Sequence, residues 1–204
     1  MVPVMTYPRV PRLWPGSIVV CLACGPSLTQ ADVDYCRDRG RVIAIKDAIQ
    51  LAPWADCWYA ADAKYWKHVG TEAMRFEGLR FALECGAAQW ATVLLNTGFT
   101  GLELEPNGLR TGKNSGYQAI NLAVHFGATR IVLLGFDQAP NAKGHHHFYR
   151  SRTYSTTTPP YSSFVPLFDT IVAPLQKLGI TCLNASRATA LTCFKKTALV
   201  DALS

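Results

Sequence analysis

Three consecutive histidines, His145, His146 and His147, followed by Phe148, Tyr149, Arg150 and Arg152, form the most reactive stretch of the chain. Imidazole titrates near neutral pH, so one of these side chains can take a proton from a hydroxyl or return it. Neighbours on an extended chain alternate sides, so three adjacent imidazoles do not readily face one metal ion. A single general base or acid is the better use. A solvated polar loop and a metal site are the alternatives. Arg150 and Arg152 would neutralise a phosphate leaving group.

Four other places carry groups of the same kind. Gly25-Pro26-Ser27 follows an apolar run, where glycine admits a ligand to the backbone and helix-start amides favour an anion. It is neither a Walker loop nor a Gly-x-Gly-x-x-Gly fingerprint; a plain strand-to-helix turn is the other reading. Gly112-Lys113-Asn114-Ser115-Gly116 puts a cation, an amide and a hydroxyl ahead of a helical pattern, where each can donate to an anion; a simple Ser or Asn cap is the alternative. Lys46 closes a second apolar run. Asp62 and Asp137 close two more, where carboxylates suit ribose hydroxyls, a divalent cation or proton transfer, or merely cap helices. Cys21 and Cys24 have Cys-x-x-Cys spacing, but no second Cys or His pair stands at zinc-ligand spacing, and Cys21 lies mid-strand. Both read as structural thiols, and no metal ligand set is assigned. His68 and His125 lie in helical segments and read as structural.

These groups need a frame. Ser17–Ala23, Arg41–Ala48, Asp56–Asp62 and Arg130–Asp137 are short apolar runs of the kind found in sheets covered on both faces. "LRFALE" and "ATVLLN" are further strand candidates. A helix begins near Thr29, capped by Ser27 or Thr29. Another runs from Ser115 to Gly127, with Ile120, Ala123, Val124 and Phe126 at helical spacing. Residues 138–163 read as one long polar loop, 164–179 as a helix closed by Gly179, and "ITCLNAS" as a last strand. Strands alternating with helices predict an α/β domain with a largely parallel sheet and helices on both faces. Ligands of such sheets sit beyond the carboxyl ends of the strands, which gathers all the named groups on one rim.

With 204 residues, the chain suits a single domain, residues 17–204, behind an extended proline-rich arm, residues 1–16. A formal charge of +6 fits anionic partners: phosphates, nucleotides or nucleic acid. No stretch is apolar for long enough to span a membrane. Seven cysteines, an odd number with several set in apolar runs, fit reduced thiols and a cytoplasmic location.

The order Gly25-Pro26-Ser27-Leu28, Asn114-Ser115-Gly116, Ala123 to Asp137, then His145 to Tyr149 resembles the bacterial sialyltransferase-like superfamily. That group includes small CMP-sialic acid transferases and an archaeal pterin pyrophosphokinase-like domain. The closing "CLNASRATALTCF" is similar to its last strand and helix start, and "LAPWAD" with "RTGKNSGYQAINLAVHFGA" looks like small phage and prophage proteins. The resemblance implies a Rossmann-like nucleotide-binding domain. Gly25, Pro26 and Ser27 would border the nucleotide, Ser115 and Gly116 would touch its phosphate or sugar, and a loop histidine would act as base. The chain departs from the pattern at Ala23-Cys24, at Lys46 and around Ala61–Asp62, which argues against a CMP-sialic acid donor. Lys46 offers instead a fixed cation for a di- or triphosphate or an acidic acceptor.

The expected function is therefore transfer of a glycosyl or diphosphate group from a nucleotide or nucleotide-sugar donor to a hydroxyl. A divalent cation is an optional helper, and a modified nucleotide or DNA base is an acceptor in keeping with a phage setting. Two other classes fit the same residues: a non-catalytic nucleotide- or nucleic-acid-binding accessory protein, and a metal-dependent nucleotide hydrolase using the histidines and Asp137.

Overall fold

The structure is a computed structural model that describes residues 6–149 and 158–204. Arg150 and Arg152 lie outside the described residues. The strands are β1 (Ile18–Leu22), β2 (Arg41–Ile45), β3 (Cys57–Tyr59), β4 (Leu79–Ala82), β5 (Thr92–Val93), β6 (Leu95–Asn96), β7 (Gly108–Leu109), β8 (Arg130–Leu134), β9 (Thr181–Asn184) and β10 (Lys195–Lys196). The α-helices are α1 (Gln30–Cys36), α2 (Ala63–Val69), α3 (Thr71–Arg75), α4 (Ser115–Phe126), α5 (Tyr161–Phe164), α6 (Asp169–Lys177) and α7 (Leu199–Ala202).

Eight strands pair in one parallel sheet in the order β10-β9-β8-β1-β2-β3-β4-β5; β6 and β7 form a separate pair. The continuous apolar runs have a direct cause, since the sheet is covered on both faces. Val19 and Cys21 point into one core layer with Ile120 and Ala123 of α4 and Ile171 and Leu175 of α6. Val20 and Leu22 point into the other, with Val33 and Cys36 of α1, Trp66 of α2 and Ala202 of α7. This is a single Rossmann-like α/β domain. The chain first builds outward from β1 to β5, then crosses back to lay β8 on the other side of β1. The strand order therefore reverses between β1 and β8, leaving a crevice at their carboxyl ends.

The helix that flanks this crevice is α4. Asn114 caps it, its Oδ1 accepting from the Gly116 and Tyr117 amides at 2.7 and 3.4 Å. Gly127 ends it at φ +99°, a conformation open to a residue without Cβ, and its amide donates to the Ala123 and Val124 carbonyls. The arm packs against the same helix. Val10 and Trp14 are buried, and the Trp14 ring lies 3.9 Å from that of Phe126.

Several expected boundaries shift. The third strand stops at Tyr59, three residues before Asp62, whereas α1 starts where expected, with Thr29 rather than Ser27 as its cap, the Thr29 side chain accepting from the Asp32 amide. The helix expected over 164–179 is three pieces: α5, a 3₁₀ segment Val165–Phe168 and α6. Pro166 has no amide to donate to a preceding turn, which interrupts the ladder there. The long loop ends at Tyr161, and the tail after "ALTCF" adds edge strand β10 and α7. Among the described residues, no helix is long and apolar enough to cross a membrane.

His125 is buried on α4 with Nε2 2.8 Å from the Gly108 carbonyl, and burial pushes its pKa down. Its native state thus prefers the neutral ring more than the unfolded chain does. The associated stability is present above the unfolded value near 6.5 and is lost as pH falls through the folded value. Denaturant midpoints should fall as pH drops from 7 to 5, and His125→Gln should flatten part of that slope.

Candidate active site

Beyond the carboxyl ends of β1, β2, β3 and β8 lies a cavity of about 770 Å³. Cys24 and Gly25 reach it from β1, Lys46 from β2, Asp62 from β3 and Gly135 from β8; Lys113 to Gly116 come from the start of α4, and His146, His147 and Tyr149 from the long loop. The segments that sequence order keeps far apart thus meet on one rim.

The turn after β1 is built by a close approach. The Gly25 amide donates to the Gly135 carbonyl at 2.8 Å, and a Cβ on Gly25 would sit 2.0 Å from Asp137 Oδ1. Asp137 itself is buried, and its two oxygens accept from the Ser27 amide and the Ser27 hydroxyl, each at 2.9 Å. Burial raises its pKa and the Ser27 bonds lower it, burial prevailing. Both acceptors are thus turned to the β1–α1 turn, and neither Asp137, Ser27 nor Pro26 lines the cavity. Asp137 joins two loops here, and it caps no helix by side chain.

Lys46 and Asp62 meet as an ion pair, Nζ to Oδ2, at 2.6 Å. The Trp58 indole N–H holds the Lys46 carbonyl at 3.0 Å, and Trp66 Nε1 holds the Ala60 carbonyl at 2.9 Å, so two buried tryptophans fix the ends of β2 and β3. Asp62 occupies the position before α2 without making a side-chain cap bond. Glu84, at the end of β4, takes that part: its Oε2 accepts from the Ala63 amide at 2.8 Å. The capping alternative for Asp62 is therefore replaced by an ion pair.

At α4 the Asn114 side chain is fully engaged, since its Nδ2 donates to Gln138 Oε1 at 3.2 Å while its Oδ1 caps the helix. Ser115 differs. Neither its amide nor its hydroxyl is bonded to another described residue, and both stand at the positive end of a 12-residue helix. The exposed Lys113 ammonium lies 5.7 Å from the centre of the Phe99 ring.

The histidine loop is tied down by the Phe148 amide, which donates to the Cys24 carbonyl at 3.1 Å. His147 stacks on Tyr149 with ring centres 5.0 Å apart. Burial lowers its pKa, opposed by the negative charge of buried Asp47 and by a hydrogen bond to the Cys24 carbonyl. His146 Nδ1 lies 3.3 Å from the Tyr161 hydroxyl, whose own pKa is pushed up to about 12 by burial and by the charge of Asp137. Tyr161 therefore remains a proton donor to its neighbours. His145 closes a turn with Asn141 and does not line the cavity. Cys24 donates to the Ile45 carbonyl at 3.2 Å with its thiol pushed up to about 12 by burial, and Cys21 is fully buried, so neither behaves as a thiolate. Among the described residues, no three His, Cys, Asp or Glu side chains cluster as a metal site.

The backbone marks the same place. Lys46, Lys113 and Gln138 have φ of +50°, +54° and +50°, and all three line the cavity. A left-handed non-glycine residue costs about 1–3 kcal/mol, and such strain gathers where structure serves a ligand. Nothing in the sequence signals it, because these residue types do not favour that conformation. Glu84, by contrast, ends a strand and was findable by the same rule as Asp62. Tyr161, Phe99 and Gln118 also line the cavity, and Gln118 is fixed by the Tyr59 hydroxyl at 2.8 Å.

A known structure shares this fold. The fold resembles MAf glycosyltransferase from Magnetospirillum magneticum AMB-1. The TM-score is 0.65 over 94% of this chain, at 10% sequence identity. The likeness covers 35% of the MAf chain, so this protein spans about a third of that enzyme's length, and what the two share is the fold. No family model matches the chain, and no curated protein sequence matches it.

Proposed function

We propose that this chain is a nucleotide-dependent transferase that moves a glycosyl or diphosphate group onto a hydroxyl. The observation that carries the reading is the convergence of open phosphate donors and oriented imidazoles on one cavity at the strand-order reversal. The Ser115 amide and hydroxyl and the Lys113 ammonium suit the donor's phosphates, because aligned peptide dipoles place about half a positive charge at the start of α4. His147 suits the base. Its lowered pKa keeps it neutral at pH 7, its ring is stacked on Tyr149, and the charge of Asp47 favours the imidazolium once formed.

In glycosyl transfer the acceptor oxygen attacks the anomeric carbon while its proton passes to His147. The bond from that carbon to the phosphate oxygen breaks, and its electron pair leaves with the nucleoside phosphate. That departing charge is met by Ser115 and Lys113. In diphosphate transfer the same oxygen attacks the β-phosphorus and the nucleoside monophosphate departs. The likeness to a glycosyltransferase fold favours the first reaction. A nucleotide or DNA base hydroxyl is one acceptor class to include.

Thermal shift against nucleoside mono- and diphosphates and nucleotide sugars tests the donor. Stabilisation is expected from at least one nucleotide, reduced about tenfold in apparent affinity by Ser115→Ala, which removes one hydrogen bond to a charged group. Binding of DNA with a steep salt dependence and no response to any nucleotide would sink the transferase reading in favour of a nucleic-acid-binding protein.

A further inference from the structure

We propose that Lys46 and Asp62 act as one recognition unit, which admits a ligand carrying a phosphate beside vicinal hydroxyls and discriminates against a bare polyphosphate. The inference rests on the nucleotide-binding reading of the cavity and names the ligand chemistry that this corner selects.

Four observations converge. The pair is tight, at 2.6 Å, and both partners line the cavity. Lys46 is held in a left-handed backbone conformation, φ +50°, its carbonyl pinned by Trp58, so its direction is built rather than incidental. Asp62 stands where a helix cap belongs yet makes no cap bond, because Glu84 serves the Ala63 amide instead. Finally, the side chains are 29% and 43% exposed, so the pair is open to exchange with a ligand. An ion pair this accessible to water is weak and gives way at little cost.

What replaces it must satisfy both ends. A phosphate can take the Lys46 ammonium, but it then leaves the Asp62 carboxylate beside a second negative charge. A bare pyrophosphate gains one contact and meets one repulsion. A ribonucleoside phosphate brings hydroxyl donors on the same molecule, and two vicinal hydroxyls match the two oxygens of one carboxylate. The free protein thus keeps its cation covered until a ligand with the right pair of groups arrives.

Calorimetric titration of inorganic pyrophosphate, the four ribonucleoside diphosphates and their 2′-deoxy counterparts into the unchanged protein and Asp62→Asn tests this. The unchanged protein should bind a ribonucleoside diphosphate about tenfold or more tightly than its deoxy counterpart, as expected for lost hydrogen bonds to a charged group, and more tightly than pyrophosphate. Asp62→Asn should narrow both gaps, with pyrophosphate binding becoming tighter. Asp62→Ala serves the same purpose should the asparagine variant fold poorly, since neither removes a cap bond. Gaps of the same size in the variants would overturn the inference, as would ribose-blind binding by the unchanged protein; either result leaves the cavity reading intact. Absence of binding by every nucleotide would overturn both.

Discussion

Replacing His147 with asparagine is expected to lower turnover about 100- to 10,000-fold, the usual share of a general base, while nucleotide affinity stays near its original value. The asymmetry follows from geometry. His147 lines the cavity, but the phosphate donors belong to α4 and β2, on other segments. Its ring is stacked on Tyr149, and the next residue's amide, of Phe148, ties the loop to the Cys24 carbonyl, so it has a fixed direction before substrate arrives. His146→Asn should cost less, under about tenfold, if its pairing with Tyr161 serves the acceptor's position rather than proton transfer. The reverse order of effects would transfer the role of base to His146. The pH profile gives a second readout. Burial lowers the His147 pKa, so the neutral, proton-accepting ring is present above that value and lost below it. Turnover should rise with pH along an acid limb centred below 6.5 and level off above it, and His147→Asn should erase that limb.

The second large effect falls on stability. Asp137→Ala is expected to destabilise the fold by about 3 kcal/mol, because it strips two charge-assisted bonds from Ser27 in a buried setting. Gly25→Ala should do similar harm from the other side, since its new methyl would overlap Asp137 Oδ1 and the Gly135 carbonyl, 2.0 and 2.4 Å away. Chemical denaturation measures both. A catalytic Asp137 would behave otherwise: turnover would vanish in Asp137→Asn while the denaturation midpoint stayed put. The buried tie to Ser27 explains why this acid, which stands at a strand end like Asp62, is turned away from the cavity. It is a brace between the β1 turn and the β8 turn, and it sets the spacing across which Gly25 and Gly135 face each other.

The frame was legible because its causes are local. Four apolar runs of strand length, a helix bounded by Asn114 and Gly127, and turn residues between them need only periodicity and capping to be read. The rule that ligands sit beyond strand carboxyl ends then picked Lys46, Asp62 and the Gly25 turn from many polar residues. It failed to separate the two aspartates, since both end apolar runs. It also passed over Glu84, because the fourth strand was a weaker pattern. Pro166 divides the 164–179 segment although the apolar spacing runs on through it, because a missing amide leaves the hydrophobic period unchanged.

By itself, then, the chain determined an α/β sheet buried on both faces and the rim on which its reactive residues collect, because hydrophobic period and turn chemistry are properties of neighbouring residues. Only the tertiary structure decided the division of labour on that rim. Asp137 binds Ser27 across 110 positions, Glu84 caps the Ala63 amide across 21, and Tyr161 meets His146 across 15. Such partners are set by the packing of whole layers, and the left-handed backbone at Lys46, Lys113 and Gln138 is held by the same packing against the preference of the residues themselves.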